Sequence, residues 1–172
     1  METFVIIDGN ALLHRAFHAV PPLTARNGQM VNAVYGFTTI LLRMVRELKP
    51  DYMAVAFDAP GKNFRHERYP AYKATRIKQP QELYDQFPIV KQVVKGFGFP
   101  IFEVAGVEAD DTIATITEKV LRNKTQFKVI IVTGDMDTLQ LVGPRVEVRT
   151  MRKGVSDIVI YNEAAVKERY GL

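Results

Sequence analysis

The sequence predicts an α/β fold, in which a parallel β-sheet carries helices on both faces. Runs of β-branched and apolar residues alternate along the chain with segments whose apolar residues recur at the helical period of about 3.6. The predicted strands are apolar almost throughout, as is typical of strands that are buried on both faces of a parallel sheet. At 172 residues with 47% hydrophobic residues, the chain is large enough for one domain with a buried core.

The first half of the chain supplies two strands and two helices. FVIID (4–8) predicts a buried strand, and a helix begins at about Asn10. A longer helix follows and ends at Pro50, and YMAVAFD (52–58) predicts the second strand. The apolar faces of these two helices comprise Leu13, Ala16, Phe17 and Val20, and then Val34, Phe37, Leu41, Met44, Val45 and Leu48.

The second half continues the alternation. Pro80 opens a helix that Gly96 and Gly98 end, and a final helix begins near Asn162, a good N-cap residue. The turn of a hairpin is expected at Lys153–Gly154, between the last two strands. The predicted strands are PIFEV (100–104), KVIIVTGD (128–135), VEVRTM (146–151) and SDIVIY (156–161). Between PIFEV and KVIIVTGD, a helix has Ile113, Ile116 and Val120 on its inner face.

Composition excludes several classes of protein. No apolar run approaches the roughly 20 residues that span a bilayer, so no membrane contact is expected. The start, METFVIIDGN, lacks the basic region of a signal peptide, and the absence of cysteine excludes disulfides and thiolate metal sites. A cytoplasmic location is therefore expected. The end, KERYGL, lacks a polar tail, so we expect the chain to be part of a longer protein.

The net charge of +4 is concentrated in residues 62–78, KNFRHERYPAYKATRIK, and the rest of the chain is close to neutral. This segment interleaves cations with the aromatic residues Phe64, Tyr69 and Tyr72, a mixture that suits the phosphates and bases of single-stranded nucleic acid. The alternative is a solvated loop whose charges have little effect. The segment contains six cations and a single acid, Glu67. The six are Lys62, Arg65, Arg68, Lys73, Arg76 and Lys78.

Seven carboxylates follow four of the predicted strands. Because ligands of parallel sheets bind outside the carboxyl ends of the strands, these side chains are expected to meet at one edge. Each group has a simpler interpretation, since acids also stabilise helix N-termini and turns. Seven acids at one edge would, however, repel one another and weaken the fold. The seven are Asp8, Asp58, Glu108, Asp110, Asp111, Asp135 and Asp137.

Divalent cations would relieve that repulsion. Oxygen ligands without cysteine favour Mg²⁺ or Mn²⁺ over Zn²⁺, and His14, His18 and His66 lack the spacing of zinc ligands. So many carboxylates predict two ions, an arrangement that hydrolyses phosphate esters.

Five motifs resemble those of the 5′-nuclease (flap endonuclease) family, in particular the amino-terminal 5′→3′ exonuclease domains of bacterial DNA polymerases. They occur in the order IDGNALLHRAFHA, NAVYGF, VAFDAPGKNFRHERYPAYKATR, GVEADD and TGDMDTLQLV, along nearly the whole chain. The resemblance implies a PIN-like (resolvase-like) α/β domain over residues 1–172, with a basic helical arch at about 62–80. It also implies a bacterial protein that cuts DNA at 5′ flaps, nicks and free 5′ ends, near the nucleoid, and that is covalently linked to a polymerase or acts alone.

The resemblance assigns roles to individual residues. All seven acids would be metal ligands, directly or through water, and Lys73 and Arg76 would approach the scissile phosphate. Tyr72 would stack near the displaced base, and Arg15 would touch DNA near the active site. The other arch cations would bind DNA, namely Lys62, Arg65, Arg68 and Lys78.

The family continues beyond YGL into a helix-hairpin-helix region with two more metal-binding aspartates, which this sequence does not contain. The second metal site and duplex affinity therefore depend on residues outside this chain, and weak or no cleavage by the 172 residues alone is expected.

Two alternative functions come from other classes of protein. One is a phosphatase that forms an aspartyl-phosphate, because DMDT (135–138) resembles the motif of that class, although its Thr falls one position early. The other is a non-catalytic fragment that binds DNA without cleaving it.

Overall fold

The computed structural model describes residues 1–75, 77–123, 126–152, 154 and 157–171. Arg76 and Lys153 therefore lie outside the described residues. The strands β1–β6 are Glu2–Asp8, Tyr52–Asp58, Ile101–Val104, Phe127–Thr133, Val146–Met151 and Ile158–Tyr161. The helices α1–α7 are Gly9–Ala19, Asn32–Leu48, Phe64–Arg68, Gln81–Tyr84, Phe87–Gly96, Ala109–Asn123 and Glu163–Tyr170, and a 3₁₀ helix spans Met136–Leu141.

In the described part of the chain, the strands form one sheet in the order β3-β2-β1-β4-β5-β6. Neighbouring strands are parallel except β5 and β6, which pair antiparallel with Met151 opposite Ile158. The predicted parallel α/β fold and the predicted hairpin pairing are both confirmed. From β1 the chain builds outward to β2 and β3 and then returns to β4 on the other side of β1. The strand order thus reverses between β1 and β4, where open α/β sheets bind their ligands.

The core has two halves, one on each face of the sheet. Along β1, Val5 and Ile7 face one half while Ile6 faces the other, because successive side chains of a strand point to opposite faces. Helices α1, α2, α4 and α5 cover the first face, where Phe37 and Leu83 are fully buried. Helix α6 covers the second face through Ile113, together with Leu139 of the 3₁₀ helix. Two covered faces explain why the central strands are apolar throughout.

The helix predicted after Pro80 is divided into α4 and α5. Pro88 at the start of α5 has no N–H for the carbonyl four residues earlier, so the helix cannot run through it. At the break, the fully buried Gln86 side chain accepts the backbone N–H groups of Ala33 and Val34 at 2.8 and 3.1 Å. It also donates to Asn32 Oδ1 at 3.1 Å. The break therefore supplies the N-terminus of α2, which has no cap side chain of its own, with hydrogen-bond partners.

The basic segment is helical only over α3 among its described residues. Tyr69 is extended (φ −140°, ψ 93°), as is favoured before a proline, and Pro70 is followed by turns through Thr75. The predicted arch at about 62–80 is thus one short helix and a series of turns, which we call the arch segment. Among the described residues, no helix is long and apolar enough to cross a bilayer.

Candidate functional site: an acidic cleft beside the arch segment

A cleft of about 470 Å³ opens at the carboxyl ends of β1, β2 and β4. It brings together five of the seven predicted acids, which come from β1, β2, the start of α6 and the turn after β4. Helix α1 forms one wall, and the arch segment reaches the cleft through Lys73. The lining residues are Asp8, Asn10, Ala11, His14, Arg15, His18, Asp58, Lys73, Glu108, Ala109, Asp110, Gly134 and Asp135.

Asp8 lies at the floor of the cleft and is only 3% exposed. Its Oδ1 accepts the backbone N–H of Ala11 at 2.9 Å and so caps α1, while its Oδ2 accepts the Thr133 hydroxyl at 2.7 Å. Thr133 also accepts the backbone N–H of Asp135 at 2.9 Å. Burial, with repulsion from Asp58 and Asp135, raises the pKa of Asp8 to about 6 despite these two donors.

Asp58 is held by donors on both of its oxygens. Asn10 donates from Nδ2 to Asp58 Oδ2 at 2.9 Å and accepts the Asp58 backbone N–H at 3.0 Å. The other oxygen accepts the N–H of Ala109, at the start of α6, at 2.7 Å. Asp58 therefore links the first turns of α1 and α6, and Asn10 orients its carboxylate toward the cleft.

Asp110 has no comparable support. Its carboxylate accepts no hydrogen bond from any described residue. Burial and then repulsion from Asp8, Asp135, Asp58 and Glu108 raise its pKa to about 7. A carboxylate without donors among like charges is stabilised by a proton or by a cation.

Glu108 is neutralised by the arch segment. Its Oε1 accepts Asn63 Nδ2 at 2.7 Å and Lys73 Nζ at 2.9 Å, and its Oε2 accepts the Tyr72 hydroxyl at 3.2 Å. Burial raises the pKa of Glu108, but Lys73, Tyr72 and Arg65 together hold it below its ordinary value. Lys73 reaches this position from a left-handed backbone (φ 54°), which is uncommon for a residue with a side chain.

Two of the seven predicted acids do not line the cleft. Asp111 forms a two-pronged ion pair with Arg65, at 2.6 and 2.7 Å, and this pair holds the pKa of Asp111 below its ordinary value. Asp137 lies exposed in the first turn of the 3₁₀ helix, where its N–H donates to Asp135 Oδ1 at 2.9 Å. In this structure Arg65, a predicted DNA contact, is thus engaged by a predicted metal ligand.

The remaining predicted DNA contacts are dispersed. Lys62, Arg68 and Lys78 are exposed on the arch segment, and Arg76 lies outside the described residues. Arg15 lines the cleft but binds the β5–β6 connection, donating to the carbonyls of Met151 at 2.5 Å, Arg152 at 2.6 Å and Gly154 at 3.3 Å.

Several residues of the site were not predicted from the sequence. Asn10, Asn63 and Thr133 hold predicted ligands, and His14 and His18 line the cleft one helical turn apart on α1. Their spacing on α1, at positions six and ten after Asp8, is the signal that could have placed the two histidines there.

The donor set fits a hard divalent cation in its chemistry. Five carboxylates line the cleft and outnumber its two histidines, two of these acids have raised pKa values, and Asp110 has no hydrogen-bond donor among the described residues. As the side chains stand, no three acids or histidines of the described residues converge closely enough to hold one ion. Part of the reason is that Glu108 and Asp111 are turned toward Asn63, Lys73 and Arg65.

A reversed strand order, an acidic cleft at the reversal and a cationic segment beside the cleft characterise this α/β domain. The family described as "5′-3′ exonuclease, N-terminal resolvase-like domain" matches residues 3–171. The chain belongs to this family.

Three DNA polymerases I are among the relatives. The chain is 41% identical to that of Bacillus caldotenax over 171 residues and 40% identical to that of Bacillus subtilis over 171 residues. It is 44% identical to that of Mycobacterium leprae over 170 residues. These matches cover 98–99% of this chain but 18–19% of each relative, so the chain spans about a fifth of their length.

Solved structures share the fold. One is a bacteriophage T5 flap endonuclease in a pseudo-enzyme–product complex with DNA and metal ions, at a TM-score of 0.76 and 17% identity over 99% of this chain and 61% of that one. Another is the T5 5′-exonuclease with divalent metal ions (zinc) bound, at a TM-score of 0.71 and 22% identity over 99% and 62% of the two chains.

Proposed function

We propose that this chain is the nuclease domain of a longer protein and hydrolyses DNA phosphodiesters in the 5′→3′ direction with the help of divalent cations. The observation that carries the proposal is the cleft itself, where five carboxylates meet beside an arch segment rich in cations and aromatic residues. Family membership and the names of the relatives support the same activity. The solved neighbour with DNA and metal ions supports it as a matter of shared fold.

The chemistry divides between the two parts of the site. Divalent ions, for which we propose Mg²⁺ or Mn²⁺, supply Lewis acidity and neutralise charge on the phosphate when they are bound. Asp8, Asp58, Asp110 and Asp135 would hold them, and Asn10 and Thr133 orient two of these carboxylates. Glu108 would join the set when it exchanges its arch partners for an ion.

The arch segment would bind the strand that is cut. Lys73 stands at the boundary between cleft and arch, so its ammonium group can pass from Glu108 to a phosphate oxygen as negative charge builds there. Tyr72 presents a ring to an unpaired base, and the exposed cations around it bind phosphates. We propose DNA with a 5′ flap, nick or free 5′ end as the substrate, because a segment of this kind selects single strands, and DNA polymerase I as the type of parent protein.

Metal binding is tested first, on the 172-residue chain. Titration of EDTA-treated protein with Mg²⁺ or Mn²⁺ should raise its melting temperature, because the ions relieve repulsion among the cleft acids. Asp110→Asn should reduce the shift strongly. Glu2→Gln should not, because Glu2 is exposed at the opposite end of β1 from Asp8. No shift at millimolar metal would contradict the proposed cation site.

Hydrolysis is tested by pairing a binding assay in EDTA with a cleavage assay in Mg²⁺, on the chain alone and within a longer protein that contains it. Asp110→Asn should abolish cleavage of 5′-flap DNA and leave binding in EDTA intact. Lys73→Met should lower the cleavage rate and also reduce the salt dependence of binding by about one ion. Binding without cleavage in every form of the protein would favour the non-catalytic alternative.

A further inference from the structure

Asn63 is buried at the start of an otherwise exposed segment. It is 8% exposed, whereas its neighbours Lys62 and Phe64 are exposed. A buried carboxamide lowers the stability of a fold unless its donor and acceptor are both paired. Asn63 therefore needs an explanation that its place in a cationic loop does not supply.

The two ends of the Asn63 carboxamide serve different elements. Its Oδ1 accepts the backbone N–H groups of Arg65 and His66, both at 3.1 Å, and so caps α3. Its Nδ2 donates to Glu108 Oε1 at 2.7 Å, the shortest of the three hydrogen bonds that the arch segment makes to that carboxylate. One side chain thus connects the first helix of the arch segment with an acid of the cleft.

Capping alone does not require asparagine at this position. Asp and Ser cap helices about as well as Asn does. An aspartate would accept from α3 but could not donate to Glu108, and a serine hydroxyl is too short to do both. The carboxamide is the group that accepts from a helix N-terminus and donates to a carboxylate at the same time.

The backbone next to Asn63 strengthens the connection. The N–H of Phe64 donates to the carbonyl of Gly106 at 3.0 Å, so two consecutive residues of the arch segment bind the loop that carries Glu108. Beyond them, Tyr72 and Lys73 converge on the same carboxylate from the far side of α3. Glu108 is therefore bound by arch residues that lie before α3 and by others that lie after it in the sequence.

We propose that Asn63 is a positioning residue, which fixes the Glu108 carboxylate at the mouth of the cleft and thereby holds the arch segment against it. Glu108 Oε1 accepts from Asn63 and Lys73 together, so the loss of either donor weakens the hold on the carboxylate and loosens the segment. The inference concerns the hydrogen bonds of the chain itself and stands apart from the proposed hydrolysis of DNA.

Limited trypsin digestion of the 172-residue chain in EDTA tests the proposal, since the arch segment is rich in Lys and Arg. Cuts after Arg68 and Lys73 are followed, because both sites lie away from the substituted position. Asn63→Asp and Asn63→Ser keep the cap of α3, and each should speed these cuts by about tenfold, the factor expected for one hydrogen bond to a charged group. Asn63→Ser decides the question, because Asn63→Asp also places a second carboxylate beside Glu108 and repulsion alone would speed its cuts. If Asn63 serves as a cap alone, Asn63→Ser is cut at the wild-type rate, which would overturn the proposal.

A rescue experiment separates positioning from a general loss of structure. The double variant Asn63→Asp with Glu108→Gln reverses the polarity of the hydrogen bond while the total charge stays the same, because the carboxamide introduced at position 108 can donate to the carboxylate introduced at position 63. Its cuts should return to within about threefold of the wild-type rate, even though Asn63→Asp alone is cut about tenfold faster. Melting temperatures of the variants check that each one folds. A double variant that is cut as fast as Asn63→Asp alone would contradict the proposed pairing.

Discussion

Replacing Thr133 by valine tests whether the floor of the cleft is built as described. The Thr133 side chain is fully buried, and its hydroxyl donates to Asp8 Oδ2 at 2.7 Å and accepts the Asp135 N–H at 2.9 Å. Valine keeps the shape of the side chain and removes both hydrogen bonds. Thr117 on α6 provides a matched control, because it is equally a buried threonine (3% exposed) but its hydroxyl has no hydrogen-bond partner in the described part of the chain.

The two substitutions should change the free energy of unfolding differently. A hydrogen bond to a charged group contributes about 1.5–3 kcal/mol, and the unpaired Asp135 N–H adds about 1 kcal/mol more. The extra methyl group of valine offsets about 1 kcal/mol, so Thr133→Val should lower the free energy of unfolding by about 1.5–3 kcal/mol at pH 7.5. Thr117→Val removes an unpaired buried hydroxyl and should leave stability unchanged or raise it by about 1 kcal/mol.

The cost at Thr133 should also depend on pH. Burial already raises the pKa of Asp8 to about 6, and the loss of a donor that lowers it should raise it further. The native variant then retains its proton to higher pH than wild type, so the gap between the two proteins widens as pH rises from about 5 to 7.5. At pH 5 Asp8 is largely protonated, and the lost hydrogen bond is one between neutral groups.

Urea denaturation followed by circular dichroism, in EDTA at pH 5.0 and 7.5, measures all of these quantities. Thermal denaturation should show a melting temperature about 3–12 °C lower for Thr133→Val at pH 7.5, at roughly 2–4 °C per kcal/mol for a domain of this size. Thr133→Ser, which keeps the hydroxyl, should recover most of the loss. A Thr133→Val variant that stays within about 0.5 kcal/mol of Thr117→Val at pH 7.5 would refute this account of the cleft floor.

Three further predictions concern the cleft and its supports. Asp110→Asn should stabilise the metal-free chain at pH 7.5 but not at pH 4.5. The pKa of Asp110 is about 7 in the folded chain and 3.8 as its ordinary value, so wild type loses stability as pH rises from about 4 to 7. Equal urea midpoints for both proteins at pH 7.5 would contradict this. Arg65→Gln should raise the pKa of Asp111 toward its ordinary value, as NMR titration of the side-chain carboxyl would show, and an unmoved pKa would mean that the ion pair does not form in solution. Gln86→Met should cost about 2–4 kcal/mol, since two buried N–H groups of α2 lose their acceptor, and a thermal midpoint unchanged from wild type would be the opposing result.

Much of the fold was predictable because its signals are local. Apolar runs such as 128–133 and the period of α2 follow from residues that are close in sequence, and both elements lie where they were predicted. The division of the helix after Pro80 was not predicted. It depends on Pro88 and on the contact of Gln86 with α2, which is more than 50 residues away.

For the candidate site, the position of the acids was predictable from the sequence, but their hydrogen-bond partners were not. That acids would gather at the carboxyl ends of parallel strands followed from topology alone, and Asp8, Asp58, Glu108, Asp110 and Asp135 do line one cleft. Their roles as metal ligands remain predictions. The partners of these acids could not be predicted, because a side chain such as Thr133 or Asn63 has no special pattern around it.

By itself, the sequence determined the order of strands and helices, the strand ends at which acids stand and the single segment that carries the excess positive charge. These depend on the periodicity of apolar residues and on composition, which are properties of short stretches of chain. Only the tertiary structure decided which charge faces which: it places Lys73 and Asn63 on Glu108 and Arg65 on Asp111, and it gives Asp110 no donor from the described part of the chain. Electrostatic and hydrogen-bond energies depend on distances of a few ångströms between residues far apart in sequence, and those distances exist only once the chain has folded.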